Sequence, residues 1–419
     1  MSFADFIREH EGDDPVRLLL SRDKYPDIDL DLAVTTLEVR KKLKTKVPEW
    51  YAVPSLVYPS RLSGEQCSSS ETARYKAKVC GSGIVPANER LRIADLTGGM
   101  GIDCWAFSSV AEAVSYNEMQ EGLMEATRVN FRELGVENVR FSCRKVEVGK
   151  VREVLEGFEP DVVFLDPARR GEDGRKVFLI EECQPDVAGL LPELFGASRF
   201  VMVKLSPMAD ITMACKRLEH VKEVHVVAAG GECKELLFVM DREWEGPYST
   251  FVVEGGAVME IPGQAGNDES SHAGNDDCRH GRPDRPSEVP CAGSVLFEPG
   301  KALAKAGAFD LPCRFGLTKL GVHTHLYTGE AVPEGLEPFG KWFEVVEVLP
   351  LNNRTMKEAG KRWPQAEVTA RNVTMTSDLL RKKTGCASGG DIHLFGVRVD
   401  AVAEAGNYLI ITKKRYGTD

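Results

Sequence analysis

The chain has 419 residues, 42% of them hydrophobic, and a formal net charge of −11, which is the composition of a soluble globular protein of two or three domains. No apolar run reaches the roughly 20 residues of a membrane span, and the opening MSFADFIREH is too acidic and mixed for a secretory signal. The 11 cysteines form no CxxC pair, which predicts reduced thiols and a cytoplasmic location, and the acidic balance excludes a general nucleic-acid coat while allowing a basic face on one domain.

Residues 1–85 read as a helical region, with helices over Phe3–Glu11, Pro15–Leu20 and Leu30–Lys46, the last carrying the basic cluster RKKLKTK. The stretch EQCSSSETARYKA comes next, supplying Gln66, Cys67, Ser68, Ser69, Thr72, Tyr75 and Lys76. Ser70 with its acidic neighbour predicts either a helix cap or a loop folded over a ligand. Residues 86–261 alternate strand and helix: RIADLT, AVSYNE, NVRFSC, DVVFLD, RFVMVKLS, EVHVVA and ELLFVM are the strands. That alternation predicts an α/β fold with a doubly wound, mostly parallel seven-stranded sheet. The last two strands join through Gly230 and Gly231 as a hairpin, making one edge antiparallel. Residues 262–293, rich in Gly, Pro, Asp and Ser, bury too little apolar surface to offset ordering entropy and read as a flexible linker or insertion. From residue 294 the pattern is that of a small α+β module with a break near LPLNNRT, separating 294–349 from 350–419.

The chemistry concentrates at two strand ends. RIADLTGGMGIDCWAFS places Asp95 at the end of the first strand, then Gly98, Gly99 and Gly101, then a helix opening near Asp103. Glycines let the backbone turn tightly and approach a ligand, and a helix N-terminus offers free N–H groups. Glu118, closing the second strand, can accept both hydroxyls of a ribose. The dinucleotide fingerprint GxGxxG is broken by Cys104, and no GK in the chain precedes Ser or Thr, so no Walker loop is present. The fourth strand ends in DPARR, with Asp166 at the mouth of the cleft that forms at the C-terminal strand ends. Pro167 fixes φ and removes a donor, while Arg169 and Arg170 can fork onto phosphate oxygens. The competing reading makes Asp166 a helix cap and the arginines a solvated face. Lys204 and Ser206, ending the fifth strand, can reach a substrate phosphate or base edge, or Lys204 can pair with Asp166.

The spacing from Asp95 to Gly101 resembles the first motif of class I S-adenosylmethionine-dependent methyltransferases, and DPAR resembles the fourth motif of nucleic-acid methyltransferases. Ala168 and the lack of an aromatic residue after it depart from that fourth motif, so base stacking by this loop is not expected. The whole chain resembles a bacterial family of class I methyltransferases with C-terminal ferredoxin-like and THUMP-like domains. KYPDID, LSGEQCSSSETARYKA, DLTGGMGID, DPARR, KLSPM, FEPGKALAKAGAFD, HTHLYTGE and GGDIHLFG carry the likeness. It implies S-adenosyl-L-methionine as cofactor, held by Asp95, Thr97, Gly99, Gly101, Asp103, Glu118, Asp166 and Pro167. It further implies a catalytic set of Asp166, Arg169 and Lys204, and a ferredoxin-like domain over 294–349 followed by a THUMP-like domain over 350–419. THUMP domains bind structured RNA, so structured RNA is the expected partner, met by Arg169, Arg170, Ser206 and a tail cluster of Arg381, Lys382 and Lys383, joined by Arg371. Ordinary solvated charge is the alternative for either basic cluster taken alone. No metal is expected: His272, Cys278, His280 and Cys291 fit no standard zinc spacing. Cys183, Cys215 and Cys233 read as buried thiols instead of nucleophiles. Two other function classes stay open from sequence: a methyltransferase of a protein or small molecule, and a non-catalytic RNA-binding protein keeping the cleft.

Overall fold

A computed structural model of the chain describes residues 1–81, 90–169, 180, 183–261, 288–401 and 404–415. Of the expected linker, only residues 288–293 lie within the described residues. The chain divides into two units, Met1–His225 with Glu235–Ser249, and Val226–Lys234 with Thr250–Asp419.

The first unit opens with helices α1 (Phe3–Glu9), α2 (Pro15–Leu20), α3 (Leu30–Lys46), α4 (Pro48–Tyr51), α5 (Arg61–Gln66) and α6 (Ser70–Val79). The first three begin at Ser2, Asp14 and Asp29, each side chain accepting a backbone N–H of the first turn. Along α3, Leu30, Ala33, Val34, Leu37, Arg40 and Leu43 form one buried stripe at helical spacing. Arg40 is thus no part of a basic surface: its guanidinium donates to the Tyr51 carbonyl at 2.8 Å and the Val53 carbonyl at 3.2 Å. Lys42 pairs with Glu65, and Lys46 donates to the Glu65 carbonyl, so much of RKKLKTK is spent on the fold. The helical region is anchored to the strands and helices after it. Trp50 and Tyr58 share a core with Ile93, Phe107 and Phe131, and the Asn130 amide binds both the N–H and the carbonyl of Val57.

The strand-helix alternation then runs β1 (Arg92–Asp95), α7 (Ile102–Ser108), β2 (Ala113–Asn117), α8 (Glu121–Glu133), β3 (Val139–Ser142), α9 (Val151–Leu155) and β4 (Val162–Leu165). It continues through two short strands, β5 (Ala168–Arg169) and β6 (Cys183–Gln184), to α10 (Val187–Ala197), β7 (Phe200–Leu205), α11 (Ile211–Arg217), β8 (Val221–Ala229), β9 (Glu232–Asp241), β10 (Ser249–Glu254) and β11 (Ala257–Ile261). Strand order is β11-β10-β8-β9-β7-β4-β1-β2-β3. Strands β3, β2, β1, β4 and β7 are parallel and β9 is antiparallel to β7. Val162 to Leu165 are buried throughout, as a central parallel strand covered on both faces requires. Gly230 and Gly231 turn the β8–β9 hairpin with φ of +58° and +75°. The sheet has nine strands where seven were expected. The additional pair is the β10–β11 hairpin, which turns at Gly255 and Gly256 with φ of +56° and +80°.

The second unit holds the far ends of β8 and β9, the β10–β11 pair and a separate seven-stranded sheet. The latter is built from β12 (Val295–Pro299), α12 (Lys301–Lys305), α13 (Leu311–Arg314), β13 (Thr318–Gly321), β14 (Thr324–Gly329), β15 (Gly340–Pro350), α14 (Asn353–Arg362), β16 (Glu367–Arg371), α15 (Ser377–Thr384), β17 (Ile392–Val399) and β18 (Gly406–Lys414), in the order β13-β14-β12-β15-β18-β17-β16. Asn352 ends the LPLNNRT break by capping α14, its side chain accepting from the Thr355 N–H while the Thr355 hydroxyl oxygen accepts from the Asn352 N–H.

Candidate functional site

Strand order reverses between β1 and β4, so a cleft forms at their C-terminal ends. Three stretches meet there: the loop after β1, the end of β2 and the loop after β4. Asp95 is fully buried at the end of β1. Its Oδ1 accepts the Thr97 N–H at 3.1 Å, and its Oδ2 has no hydrogen-bond partner among the described residues. Burial, reinforced by Asp103, Asp166 and Glu118, pushes its pKa well above the usual carboxylate value.

The glycines are needed for space and backbone angle. A Cβ on Gly98 would stand 2.1 Å from the Tyr116 ring, and one on Gly101 would stand 2.6 Å from Thr127 Cγ2. Gly99 and Gly101 hold φ of +54° and +86°, the left-handed region that favours glycine. The loop is braced from beneath: Gly98 N–H donates to the Asn117 carbonyl at 2.7 Å and the Tyr116 hydroxyl donates to the Gly99 carbonyl at 2.6 Å. Glu118 accepts the Gly99 N–H at 3.1 Å and the Gln120 N–H at 2.9 Å, which fixes its carboxylate beside the turn.

Asp166 joins this group through both its backbone and its side chain. Its N–H donates to Thr97 Oγ1 at 2.6 Å, and its Oδ2 accepts from Lys204 Nζ at 2.5 Å. Burial works against the charge on Lys204, but Asp166, Glu235 and Asp103 outweigh it and hold its pKa above that of an ordinary lysine. Asp166 is not a helix cap: the chain continues through buried Pro167 into strand β5, paired with β6. Of the two readings of Lys204, pairing with Asp166 is the one present. Ser206 accepts the Met208 N–H at 3.2 Å in the turn before α11. Arg169 lies in β5, and Arg170 lies outside the described residues.

Asp103 takes part in a buried polar cluster that the sequence reading missed. Lys76 has no solvent exposure, donates to both carboxylate oxygens of Glu235 at 2.8 and 2.9 Å and to Ser68 Oγ at 3.0 Å, and stands 3.1 Å from Asp103 Oδ1. Ser68 in turn donates to Asp103 Oδ2 at 2.8 Å. The signal for Glu235 was there, an acid opening the apolar run ELLFVM, but its partner lies 159 residues earlier. The cap of α6 is Ser69, accepting from Thr72 N–H, whereas Ser70 donates to Glu49 at 2.5 Å. The tail cluster is divided. Arg381 pairs with Glu367 at 3.2 Å and Arg371 with Glu298 at 2.8 Å, while Lys382 and Lys383 are exposed. Burial pushes the Cys215 thiol up to about 12, opposite to what a nucleophile needs, and among the described residues no group of His, Cys, Asp and Glu could hold a metal. His272, Cys278 and His280 lie outside them.

Two family profiles match the second unit: a ferredoxin-like domain over residues 296–335 and a THUMP domain-like family over 340–414. Uncharacterized RNA methyltransferases of Bacillus cereus and Bacillus anthracis are each 30% identical over 112 residues, and this chain spans 24% of the length of either. A protein of Porphyromonas gingivalis W83, whose crystal structure carries a provisional methyltransferase assignment, is 30% identical with a TM-score of 0.80, over 98% of this chain and 97% of that one. With its glycine loop, its paired strand-end acids and its two C-terminal segments, the chain belongs to a family of S-adenosylmethionine-dependent methyltransferases that carry ferredoxin-like and THUMP-like domains.

Proposed function

We propose that the protein transfers a methyl group from S-adenosyl-L-methionine to structured RNA. The observation that carries the cofactor half is the braced turn at Gly98–Gly101 facing Glu118, with a buried Asp95 oxygen left unpartnered behind it. These residues fit a nucleoside: Gly99 and Gly101 leave the backbone open, Glu118 offers acceptor lone pairs to a ribose, and Asp166 with Pro167 borders the same space. The cofactor supplies a methyl group already activated by the positive sulfur. The protein's part is then placement. Asp166 orients the acceptor atom and takes its proton, and Lys204 holds the Asp166 carboxylate in one position. The Thr97 hydroxyl oxygen accepts the Asp166 N–H and so ties the loop after β4 to the glycine loop. Arg169 and Arg170 are the candidates for phosphate contact.

RNA as acceptor is supported by the THUMP domain-like match and by the RNA methyltransferases that the chain resembles in part. We place the activity in the cytoplasm because RNA is its proposed acceptor; among the described residues no helix is long and apolar enough to cross a membrane. Calorimetric titration should show binding of S-adenosyl-L-methionine but not NAD, and tritium from labelled cofactor should enter a total RNA fraction. Asp166→Asn should abolish that transfer and change cofactor affinity by no more than a few-fold. Labelling of protein but not RNA would overturn the acceptor assignment, and a fully active Asn variant would overturn the role of Asp166.

A further inference from the structure

Charged residues at the mouth of the cleft form two ion pairs on one face of the sheet. Asp166 stands one position beyond the Leu165–Val203 pair of β4 and β7, which brings it level with Lys204. Lys204 lies opposite Leu237 across β7 and β9, so Glu235, two positions earlier on β9, shares its face. Lys204 pairs with Asp166, and Lys76 of α6 pairs with Glu235.

The two pairs differ in access. The side chains of Lys204 and Asp166 keep 14% and 34% of their surface exposed, against 0% and 4% for Lys76 and Glu235. Lys204 and Asp166 can therefore touch an acceptor, whereas Lys76 and Glu235 act only through their neighbours. Asp166 Oδ2 is occupied by Lys204, and its other carboxylate oxygen accepts no hydrogen bond among the described residues. Burial opposes the charge on Lys204, but Asp166, Glu235 and Asp103 together keep it protonated.

An ammonium beside the proton-accepting carboxylate selects the kind of atom that receives the methyl group. An attacking nitrogen gains positive charge as its new bond forms, and a resident cation raises the barrier to that step. A hydroxyl gives up its proton and passes through an oxygen of alkoxide character, which the same cation stabilises. The loop after β4 agrees with a hydroxyl target, because Ala168 follows Pro167 and DPARR offers no ring for stacking a splayed base. The hydroxyl that each internal RNA nucleotide carries is the ribose 2′-OH. Resting on the proposal that RNA is the acceptor, we infer that the methyl group is delivered to a ribose 2′-hydroxyl held between Asp166 and Lys204, with Glu235 as a positioning residue that acts on Lys204 and is itself fixed by Lys76. The hydroxyl oxygen forms the bond to the methyl carbon, the carbon–sulfur bond breaks with its electron pair left on sulfur, and the hydroxyl proton goes to Asp166.

Alkaline hydrolysis tests this, applied to total RNA from cells lacking the gene after the full chain has labelled it with tritiated cofactor. A 2′-O-methyl group blocks cleavage of the neighbouring phosphodiester, so the label should appear in alkali-stable dinucleotides. Lys204→Ala should lower kcat by roughly 100–1000-fold, the loss seen when one donor to a developing oxyanion is removed. Its calorimetric affinity for S-adenosyl-L-methionine should change by no more than a few-fold, which reports its fold. Glu235→Gln should lower kcat by up to about 100-fold with the KM for the cofactor unchanged, as a small misplacement of a reacting group does. Label in mononucleotides overturns the hydroxyl assignment and leaves the RNA reading standing. A fully active Lys204→Ala chain overturns the role of Lys204, and an unchanged kcat in Glu235→Gln overturns that of Glu235. No label in RNA from an intact chain that binds the cofactor overturns the RNA reading itself.

Discussion

Glu118 and Asp95 show how two carboxylates a short distance apart take different parts. Glu118 is held by two backbone N–H groups and keeps acceptor capacity for a ligand. Glu118→Ala should weaken S-adenosyl-L-methionine binding by about 1.5–3 kcal/mol, the range for hydrogen bonds to a charged group, measured by calorimetry. Asp95 is buried with one oxygen unpartnered, and its folded pKa lies above its unfolded value. An acid shifted in that direction favours the fold while protonated, and this contribution is lost as pH rises through the folded value. Asp95→Asn should therefore raise the melting temperature at alkaline pH, with the gain shrinking toward mildly acidic pH. A gain that did not vary with pH would show that Asp95 is not the titrating group. Such a gain should be accompanied by weaker cofactor binding, as expected where a strained site serves function.

Among the elements, α6 is pinned by a single buried cation. Lys76 ties it to β9 through Glu235 and to the start of α7 through Asp103. Lys76→Met would leave two buried carboxylates without their cation. It should destabilise the protein by about 3–5 kcal/mol in urea unfolding, while Lys76→Met combined with Glu235→Leu should recover much of the loss. Neither helix nor strand patterns could have revealed this pair, because α6 and β9 are far apart in sequence. What was legible was local. The caps of α1 to α3, the buried run of β4 and the glycine turn of β8–β9 all arise from residues within a few positions of one another. The β10–β11 hairpin was legible too, since FVVEGGAVMEI alternates around a double glycine, but it lies outside the seven-strand pattern that the strand-helix alternation suggests. At the site, the glycine loop, Glu118 and Asp166 were marked by their strand-end positions. The division of labour among cations was not. Arg40, Arg371 and Arg381 look like surface charge in sequence, and only their partners show that they serve the fold.

For the molecule as a whole, binding a ligand only in the folded state must raise its stability. S-adenosyl-L-methionine at about 100 times its dissociation constant should add roughly 2.7 kcal/mol, seen as a rise in melting temperature that at the same cofactor concentration shrinks to the equivalent of about 0.3–1.3 kcal/mol in Glu118→Ala. The strand pairing within the second unit bears on how such proteins can be inherited. The ferredoxin-like match ends at residue 335 and the THUMP domain-like match begins at 340, yet β12 on one side of that boundary pairs with β15 on the other along five residues. A recombination event that separated the two segments would split one sheet and leave a bare edge on each half, open to pairing with other chains. The two profiles thus describe a single heritable module, and either one found without the other should be accompanied by a replacement strand or a second copy that covers the exposed edge.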